Sequence, residues 1–449
     1  MPTCTLHPLP YHADPGHWFE SIHDAPGAVL LDSGRPQASR GRYDIISAWP
    51  EQILTPAADE CGSAFFQRLR VALARLGPAD APDDCELPFL GGLIGLLAYD
   101  FGTRLEKLPQ TAVDDLALPV ARFGLYAWAL ITDHQRRTAH LLFHPALVQD
   151  ERARLLNLFQ QPAAAASIQP FSLRSRFAGD LDRERYRRGF ERIQDYIRAG
   201  DCYQVNFTQR FRATYQGNPW LAYCALRAAC PTPFAGFVAL EDGAIASLSP
   251  ERFLQLSDGT VETRPIKGTR RRQADPADDQ ALAEELLASE KDRAENLMIV
   301  DLLRNDLGRS CEIGSVHVPE LFVLESYPNV HHLVSAVRGT LAAGKDAFDL
   351  LAGSFPGGSI TGAPKIRAMQ IIDELEPTRR SIYCGSLLYV DVRGRMDSSI
   401  TIRTLSLRNG QACCWGGGGI VADSQWEAEY QESVDKVKVL LETLEGLQH

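Results

Sequence analysis

The sequence predicts an α+β fold in which an antiparallel β-sheet core is flanked by helices. Helical and strand patterns are interspersed, but successive strand segments are joined by short turns, which disfavours a doubly wound parallel sheet. The apolar fraction of 45% and the charged fraction of 23% are typical of a globular protein. A chain of 449 residues is long enough for one large domain or for two to three ordinary ones.

The first predicted region comprises residues 1–160. Short apolar runs at 28–31 and 125–131 predict buried strands, and helical spacing of apolar residues predicts a helix over 64–76. Residues 161–178 are predicted to be a linker or an exposed loop, because their first half lacks apolar periodicity.

The second predicted region, residues 179–449, opens with a helix. Asp180 is its expected N-cap, and Gly200 stands where a glycine commonly follows the last turn. The remaining pattern predicts strands at 204–211, 386–392, 399–407 and 411–415, and strands around 249–251 within residues 244–256. It predicts helices at 279–303, 366–375 and 427–444.

Charge and cysteine usage restrict the class of partner. A formal net charge of −11 argues against a nucleic acid, which needs a basic surface. No apolar run approaches the roughly 20 residues of a membrane span. The ten cysteines form no Cys-x-x-Cys pair, and the first residues lack the pattern of a secretory signal. We therefore expect a cytoplasmic protein with reduced thiols.

Lys267 and Glu251 are the first candidates for catalysis. Lys267 lies in a glycine-bearing segment directly after a predicted strand. A lysine held among backbone groups and partly desolvated loses its proton more readily and becomes nucleophilic. A nearby glutamic acid can protonate a leaving group. The pair suggests covalent chemistry on a small electrophilic substrate, and a solvated surface lysine is the alternative.

Two pairs of carboxylates repeat one helical spacing. Asp292 and Glu295 are predicted to share a face of one helix, and Glu429 and Glu432 a face of the last helix. Two such faces can enclose a hard cation, and oxygen ligands suit Mg²⁺. Ordinary solvated helix faces are the alternative.

Other polar features suit an anionic ligand. Glycine-rich segments at 355–365 and 416–419 can bring backbone N–H groups close to an anion, although most such segments are only turns. Arg403, in a predicted alternating strand, needs either a ligand carboxylate or a structural acid. His332 is expected to be neutral, either as a hydrogen-bonding group or as a core residue.

Taken together, several segments closely resemble the chorismate-utilising enzymes, a family whose members make anthranilate, 4-amino-4-deoxychorismate, isochorismate or salicylate. The resemblance covers roughly the last 60% of the chain. Its matching segments are residues 200–205, 249–253, 291–296, 301–306, 359–365, 402–404 and 417–424.

Two positions indicate the branch of the family. In the branch that makes anthranilate an alanine stands where this chain has Lys267, whereas the branch that aminates chorismate has lysine there. The isochorismate and salicylate enzymes have a lysine where this chain has Gln204. The resemblance thus implies conversion of chorismate and ammonia to 4-amino-4-deoxychorismate, on the route to p-aminobenzoate and folate. Formation of anthranilate is the alternative, and a non-catalytic chorismate- or tryptophan-binding regulator is the alternative from another class.

The resemblance also implies a chorismate-binding fold and roles for individual residues. Lys267 would attack ring carbon C2, Glu251 would protonate the departing C4 hydroxyl, and ammonia would then add at C4. The implied ligands of Mg²⁺ are Glu295 and Glu432, supported by Asp292 and Glu429, and the implied substrate-binding residues are His332, Ser359, Tyr383, Arg403, Gly417 and Gly419.

The implied partner is a glutamine amidotransferase subunit in a heterodimer, because the chain lacks the Gly-x-Cys-x-Gly segment of a glutaminase nucleophile. The N-terminal region resembles the part of related subunits that holds tryptophan. The matching segments there are residues 30–34 and 42–45, so Ser33, Tyr43 and Asp44 are the residues of an expected tryptophan pocket.

Overall fold

The computed structural model describes residues 1–38, 41–82, 85–160, 168–326 and 330–447. Its α-helices are α1 Gly16–Phe19, α2 Gly62–Leu76, α3 Gly102–Leu105, α4 Gln149–Gln160, α5 Arg183–Arg198, α6 Pro219–Ala229, α7 Pro276–Ala288, α8 Glu290–Gly308, α9 Ala347–Ser354, α10 Lys365–Leu375 and α11 Trp426–Glu445. Short 3₁₀ helices lie at Tyr99–Phe101 and Gly358–Ile360.

The strands alternate with these helices along the chain. They are β1 Thr5–Leu9, β2 Val29–Asp32, β3 Tyr43–Ser47, β4 Gln52–Leu54, β5 Gly92–Leu97, β6 Ala121–Tyr126, β7 Trp128–Asp133, β8 Thr138–Phe143, β9 Ser172–Leu173, β10 Ala178–Gly179, β11 Gln204–Gln216, β12 Phe234–Leu240, β13 Gly243–Ser249, β14 Arg252–Ser257, β15 Thr260–Thr263, β16 Ile266–Arg271, β17 His317–Ser326, β18 Val330–Thr340, β19 Gly362–Ala363, β20 Ser386–Asp391, β21 Met396–Ser399, β22 Thr404–Arg408 and β23 Gln411–Ile420.

Two large sheets organise the molecule. The first runs β1-β8-β7-β3-β2-β12-β13-β22-β23-β11-β10, with β9 and β19 also paired to β11. The second runs β16-β18-β15-β14-β21-β20-β5-β6-β4, with β17 paired to β18. Every pairing between these strands is antiparallel, and helices pack against both sheets. The predicted α+β class with an antiparallel core is therefore confirmed.

Both sheets combine strands from the two predicted regions. In the first sheet β2 pairs with β12, and in the second β5 pairs with β20. One apolar cluster likewise includes Phe66 from the first region and Phe348 from the second, with ring centroids 5.7 Å apart. The boundaries near residues 160 and 178 stay predictions, and residues 161–167 of the predicted linker lie outside the described residues.

Several predicted elements differ in the structure. The helix predicted over 279–303 is two helices, because Ser289 takes an extended conformation and caps α8 by accepting a hydrogen bond from Asp292 N. The first helix of the second region begins after Asp182, whose side chain accepts from Arg185 N, rather than after Asp180. Gly200 follows that helix at φ = 80°, as expected.

Two predicted strands are interrupted, and two others, β11 and β23, are longer than expected. Residues 399–407 are divided between β21 and β22, and residues 125–131 between β6 and β7. In contrast, the glycine run at 416–419 lies inside β23 rather than in a turn. Among the described helices, none is long and apolar enough to cross a membrane.

Candidate active site

One cavity of about 870 Å³ collects the residues predicted to act in catalysis. Its walls come from β11 and β23 of the first sheet, from β16 and β18 of the second sheet, and from helices α8 and α11. All of the predicted catalytic, substrate-binding and metal-binding residues line it, namely Glu251, Lys267, Asp292, Glu295, His332, Ser359, Tyr383, Arg403, Gly417, Gly419, Glu429 and Glu432.

Lys267 projects into this cavity from the start of β16. The register of β16 against β18 shifts between Ile266 and Thr269, and Gly268 within this irregularity has φ = 82°. A residue with a side chain is disfavoured at that φ, and its Cβ would also meet Asp292 and Leu286. The bulge thus sets the direction in which Lys267 leaves the strand.

Two oxygen atoms hold the Lys267 ammonium. Lys267 Nζ donates to the carbonyl of Ser359 at 3.3 Å and lies 3.3 Å from Glu295 Oε1. Burial lowers the pKa of Lys267, but the negative charges of Glu295 and Glu251 outweigh it, so the pKa is raised overall. In this arrangement the lysine is protonated, opposite to what desolvation alone would give.

Glu251 faces the same turn as Lys267. Its side chain is buried, with a residue exposure of 6%, and it accepts a hydrogen bond from Ser359 Oγ at 3.1 Å. Burial raises the pKa of Glu251, while Lys267 and the Ser359 hydroxyl partly offset that rise. A carboxyl group that stays protonated to a higher pH suits the role of a proton donor.

Each of the four predicted metal-binding carboxylates lies within 3.3 Å of a cationic side chain or a hydroxyl group. Glu432 Oε1 lies 2.6 Å from Lys436 Nζ, and Asp292 Oδ2 lies 3.2 Å from Arg270. Glu429 accepts from Ser424 Oγ at 2.7 Å. Glu295 is the carboxylate paired with Lys267.

These carboxylates fit a hard cation by their chemistry, although they do not converge in this conformation. Among the described residues, no three His, Cys, Asp or Glu side chains are grouped closely enough to hold an ion. Burial raises the pKa of Glu429, whereas Lys436 outweighs the effect of burial at Glu432 and lowers its pKa. A set of carboxylate oxygens on two helices facing one cavity has the donor chemistry that Mg²⁺ prefers. The metal-binding roles stay predictions.

Arg403 supplies a positive charge to the cavity without a carboxylate partner. It lies between β21 and β22 at φ = 50°, not in the alternating strand that was predicted. Among the described residues it forms no salt bridge, and its guanidinium has only a 4.0 Å contact with Cys230 Sγ. An unpaired arginine at a cavity wall is suited to bind an anionic ligand.

His332 and Tyr383 form part of the wall near this arginine. Burial and the positive charge of Arg403 lower the pKa of His332 to about 4, so the ring is neutral near pH 7, as expected. Its Nδ1 lies 2.9 Å from Thr269 Oγ1. Tyr383 stacks on Trp415 with ring centroids 5.9 Å apart, and burial raises its pKa.

Close pairing of β23 with β11 explains the glycine run. Gly417 is opposite Thr208, and a Cβ at Gly417 would lie only 2.6 Å from Thr208 Cα. A Cβ at Gly419 would meet the side-chain amide of Gln204. Position 417 therefore requires glycine because the clash is with backbone, whereas a side chain at position 419 would require Gln204 to move. Both glycines line the cavity.

Further side chains outside the predicted site also line the cavity, including those of Lys291, Lys436, Arg270 and Asn206. Lys436 donates to the carbonyl of Gly417 at 2.8 Å in addition to its pairing with Glu432. Its position four residues after Glu432 on one helix was the available signal. Asn206 had no such signal, because its contacts depend on tertiary packing.

A second cavity of about 530 Å³ adjoins the first. Pro250 and Ile266 line both cavities. Ser33 and Tyr43 line the second cavity, whereas Asp44 is fully buried and accepts from Ser33 Oγ at 2.7 Å. Tryptophan binding at these residues stays a prediction.

Comparison with known proteins agrees with the fold and the cavity. Residues 27–442 match the family described as chorismate binding enzyme. The chain is 49% identical to aminodeoxychorismate synthase component 1 of Klebsiella aerogenes, over 98% of each protein. It is 42% identical to anthranilate synthase component 1 of Thermus thermophilus, over 85% of this chain and 82% of that protein.

A solved structure gives the same result in three dimensions. The crystal structure of anthranilate synthase component I from Streptococcus pneumoniae TIGR4 is similar with a TM-score of 0.78 at 32% identity, over 89% of this chain and 92% of that chain. The fold and the cavity thus define an enzyme class that acts on a small anionic substrate. The chain belongs to the chorismate binding enzyme family.

Proposed function

We propose that this chain converts chorismate and ammonia to 4-amino-4-deoxychorismate and water, by covalent catalysis through Lys267. The observation that carries this proposal is that Lys267 and Glu251 both contact one residue, Ser359. Ser359 contacts Lys267 through its carbonyl and Glu251 through its hydroxyl. The high identity to aminodeoxychorismate synthase component 1 of Klebsiella aerogenes supports the same activity.

The reaction is proposed to proceed in two substitutions. In the first, neutral Lys267 forms an N–C bond at C2 of chorismate, both ring double bonds shift by one position, and the C4–O bond breaks. Glu251 gives its proton to the departing hydroxyl, which leaves as water. In the second, ammonia forms the new C–N bond at C4, the ring double bonds shift back, and the electron pair of the breaking C2–N bond returns to Lys267. The new ammonium group at C4 gives one proton back to Glu251, which restores the acid. The covalent route divides one difficult substitution into two easier ones.

Lys267 must lose its proton before it attacks. Its raised pKa depends on Glu295 and Glu251, so a change in either carboxylate changes the nucleophile. We propose that Glu295 and Glu432 hold Mg²⁺, with Asp292 and Glu429 acting through water. When bound, the ion would bind the ring carboxylate of chorismate and neutralise nearby acidic groups. The pKa of Lys267 would then be raised less by these carboxylates, and the lysine would lose its proton more readily.

The remaining groups are proposed to orient the substrate. Arg403, with no carboxylate partner among the described residues, would pair with the pyruvyl carboxylate, assisted by Tyr383 and by the backbone N–H groups of Gly417 and Gly419. His332 and Ser359 would lie near the ring. The product 4-amino-4-deoxychorismate retains the enolpyruvyl group. Formation of anthranilate would instead release this group as pyruvate.

The deciding experiment is product analysis with purified protein, chorismate, Mg²⁺ and ammonium. We expect 4-amino-4-deoxychorismate without release of pyruvate. Lys267→Ala is expected to lower kcat/KM by at least about 100-fold, because the nucleophile is lost. Lys438→Ala is the matched control, since Lys438 is an exposed lysine of α11 with only a 3.8 Å contact to Glu442.

Two outcomes would contradict the proposal. Anthranilate with an equal amount of pyruvate would place the chain in the other branch. Unchanged turnover by Lys267→Ala would exclude the covalent role of the lysine even if the product were correct.

The metal proposal has its own test. Chelation of divalent ions should abolish turnover, and Mg²⁺ should restore it. Glu432→Gln should raise the Mg²⁺ concentration for half-maximal activity by at least about tenfold, because outer groups of a metal site alone are often worth 10–100-fold. Glu427→Gln, at an exposed position at the start of α11, should leave that concentration unchanged. Equal responses of both variants would refute the assignment.

A further inference from the structure

Arg380 is a fully buried arginine behind the active cavity, with a residue exposure of 1%. Its Nε and Nη2 donate to the two carboxylate oxygens of Glu376 at 2.9 and 2.7 Å. The same guanidinium donates to the carbonyl of Ile360 at 2.8 Å and to the carbonyl of Asn206 at 2.6 Å. Two of its four hydrogen bonds therefore end on the backbone of residues that line the cavity.

Glu376 extends this connection to the central strand of the site. Its Oε1 accepts from the backbone N–H of Thr208 at 2.9 Å and from the Thr208 hydroxyl at 2.8 Å. Asn206 and Thr208 both belong to β11. The Arg380–Glu376 pair thus joins three parts of the chain: β11, the end of α10 and the turn that contains Ser359 and Ile360.

The geometry points to Arg380 as a positioning residue of the proposed reaction, which acts by fixing the Ser359–Ile360 turn between Glu251 and Lys267. This inference rests on the proposed function. Ser359 reaches Glu251 through Oγ and Lys267 through its carbonyl, so a shift of this turn changes both contacts together. Arg380 itself touches neither catalytic group.

Stability alone is a poor explanation for such a pair. Removing two charges from water costs free energy, and apolar residues of similar volume often replace a buried ion pair without loss of stability. A guanidinium offers five N–H donors in a fixed planar arrangement, which can serve one carboxylate and two carbonyls at once. A lysine ammonium keeps the charge but cannot span those three acceptors.

The test combines Arg380→Lys with Ser359→Ala, singly and together. Arg380→Lys should lower kcat for chorismate by about 10–100-fold with a much smaller change in KM, because displacement of a catalytic group by about 1 Å can cost 100-fold. If Arg380 acts through this turn, Arg380→Lys should lower kcat less in the Ser359→Ala background than in wild type, because Ser359→Ala has already removed the contact with Glu251 and leaves only the carbonyl contact with Lys267. If the effects of the two single variants on kcat simply multiply in the double variant, the inference is overturned.

Arg227→Lys is the matched control. Arg227 is also buried, and it binds the carboxylate of Asp32 and the carbonyl of Arg35 away from the cavity of Lys267. The kcat of the Arg227→Lys variant should stay within about twofold of the wild-type value, even if the unfolding temperature of this variant falls as far as that of Arg380→Lys. A loss of kcat equal to that of Arg380→Lys would mean that any weakened buried arginine has this effect, and would overturn the inference.

A crystal structure of Arg380→Lys separates this inference from the proposed function. We expect the distance from Ser359 Oγ to Glu251 Oε1 to exceed 3.5 Å, from 3.1 Å with Arg380 present. An unmoved turn would overturn the positioning role whatever product the enzyme makes. If the wild-type protein consumed no chorismate, the proposed function would fail, and this distance would still decide the role of Arg380.

Discussion

The protonation state of His332 links the active cavity to the stability of the fold. Burial and Arg403 lower its pKa to about 4 in the folded protein, below the ordinary value of 6.5. The unfolded chain therefore binds this proton more tightly, and protonation favours unfolding. The contribution to stability is complete above about pH 6.5 and is lost as the pH falls toward 4.

His332→Gln should remove this part of the pH dependence. Between pH 7.5 and 4.5, urea unfolding of the wild type should lose up to about 3 kcal/mol more than unfolding of the variant. His317→Gln is the control, because His317 is exposed on β17 and should leave the wild-type dependence unchanged. The same pH dependence in wild type and His332→Gln would show that burial of the neutral ring does not contribute.

At the scale of single residues, the sequence could predict those whose chemistry is unusual for their local pattern. Lys267 and Glu251 stand in distinctive segments, and both line the cavity. The positioning role of Arg380 could not be predicted in this way. Its spacing of four residues from Glu376 indicates an ion pair, but its partners at positions 206 and 360 are backbone carbonyls. No side-chain pattern marks a carbonyl as an acceptor.

At the scale of elements, the contact between β11 and β23 limits what the cavity wall can contain. Gly417→Ala should lower the free energy of unfolding by about 1–3 kcal/mol, because its Cβ would meet the backbone of Phe207 and Thr208, which cannot move aside as a flexible side chain can. Urea denaturation at fixed pH measures this change. The chorismate KM should also rise, since Gly417 lines the cavity.

Gly308→Ala is the matched control for that substitution. Gly308 ends α8, and a Cβ there would meet no atom within 4 Å. Alanine at this position should leave stability unchanged or raise it by up to about 1 kcal/mol, because it restricts the unfolded chain. Equal effects of the two alanines would mean that the close approach of β23 to β11 does not constrain residue 417.

Elements were predicted best where one periodicity covered the whole segment. The last helix, predicted over 427–444, is found at Trp426–Glu445. The prediction of one helix over 279–303 was wrong because apolar and acidic residues continue across Ser289 in the sequence. Only the capping geometry of Ser289 in the structure reveals the break between α7 and α8. The strand prediction was wrong at residues 400–403 because strand-like alternation continues through Arg403 in the sequence, whereas its φ of 50° interrupts the strand in the structure.

At the scale of the whole molecule, the predicted fold class holds because antiparallel strands joined by short turns leave a strong local signal. The sequence contains no local signal for the way in which the two predicted regions share both sheets. Pairing of β2 with β12 and of β5 with β20 joins residues more than 100 positions apart. The adjoining second cavity, with Ser33 and Tyr43 in its wall, is likewise a product of this long-range pairing.

At the scale of the whole molecule, a further question is whether the chain can itself release ammonia from glutamine. Glutamine amidotransferases with a Gly-x-Cys-x-Gly nucleophile segment use a reactive thiol beside bound glutamine. None of the ten cysteines lines the cavity of Lys267 or the adjoining cavity, and all but Cys61 are buried or half-buried. We therefore expect the purified chain to form product with ammonium and to form none with glutamine. Addition of a glutamine amidotransferase subunit that binds this chain should make glutamine a substrate. Glutamine-dependent turnover by the chain alone, in a preparation free of contaminating glutaminase, would contradict the need for a partner.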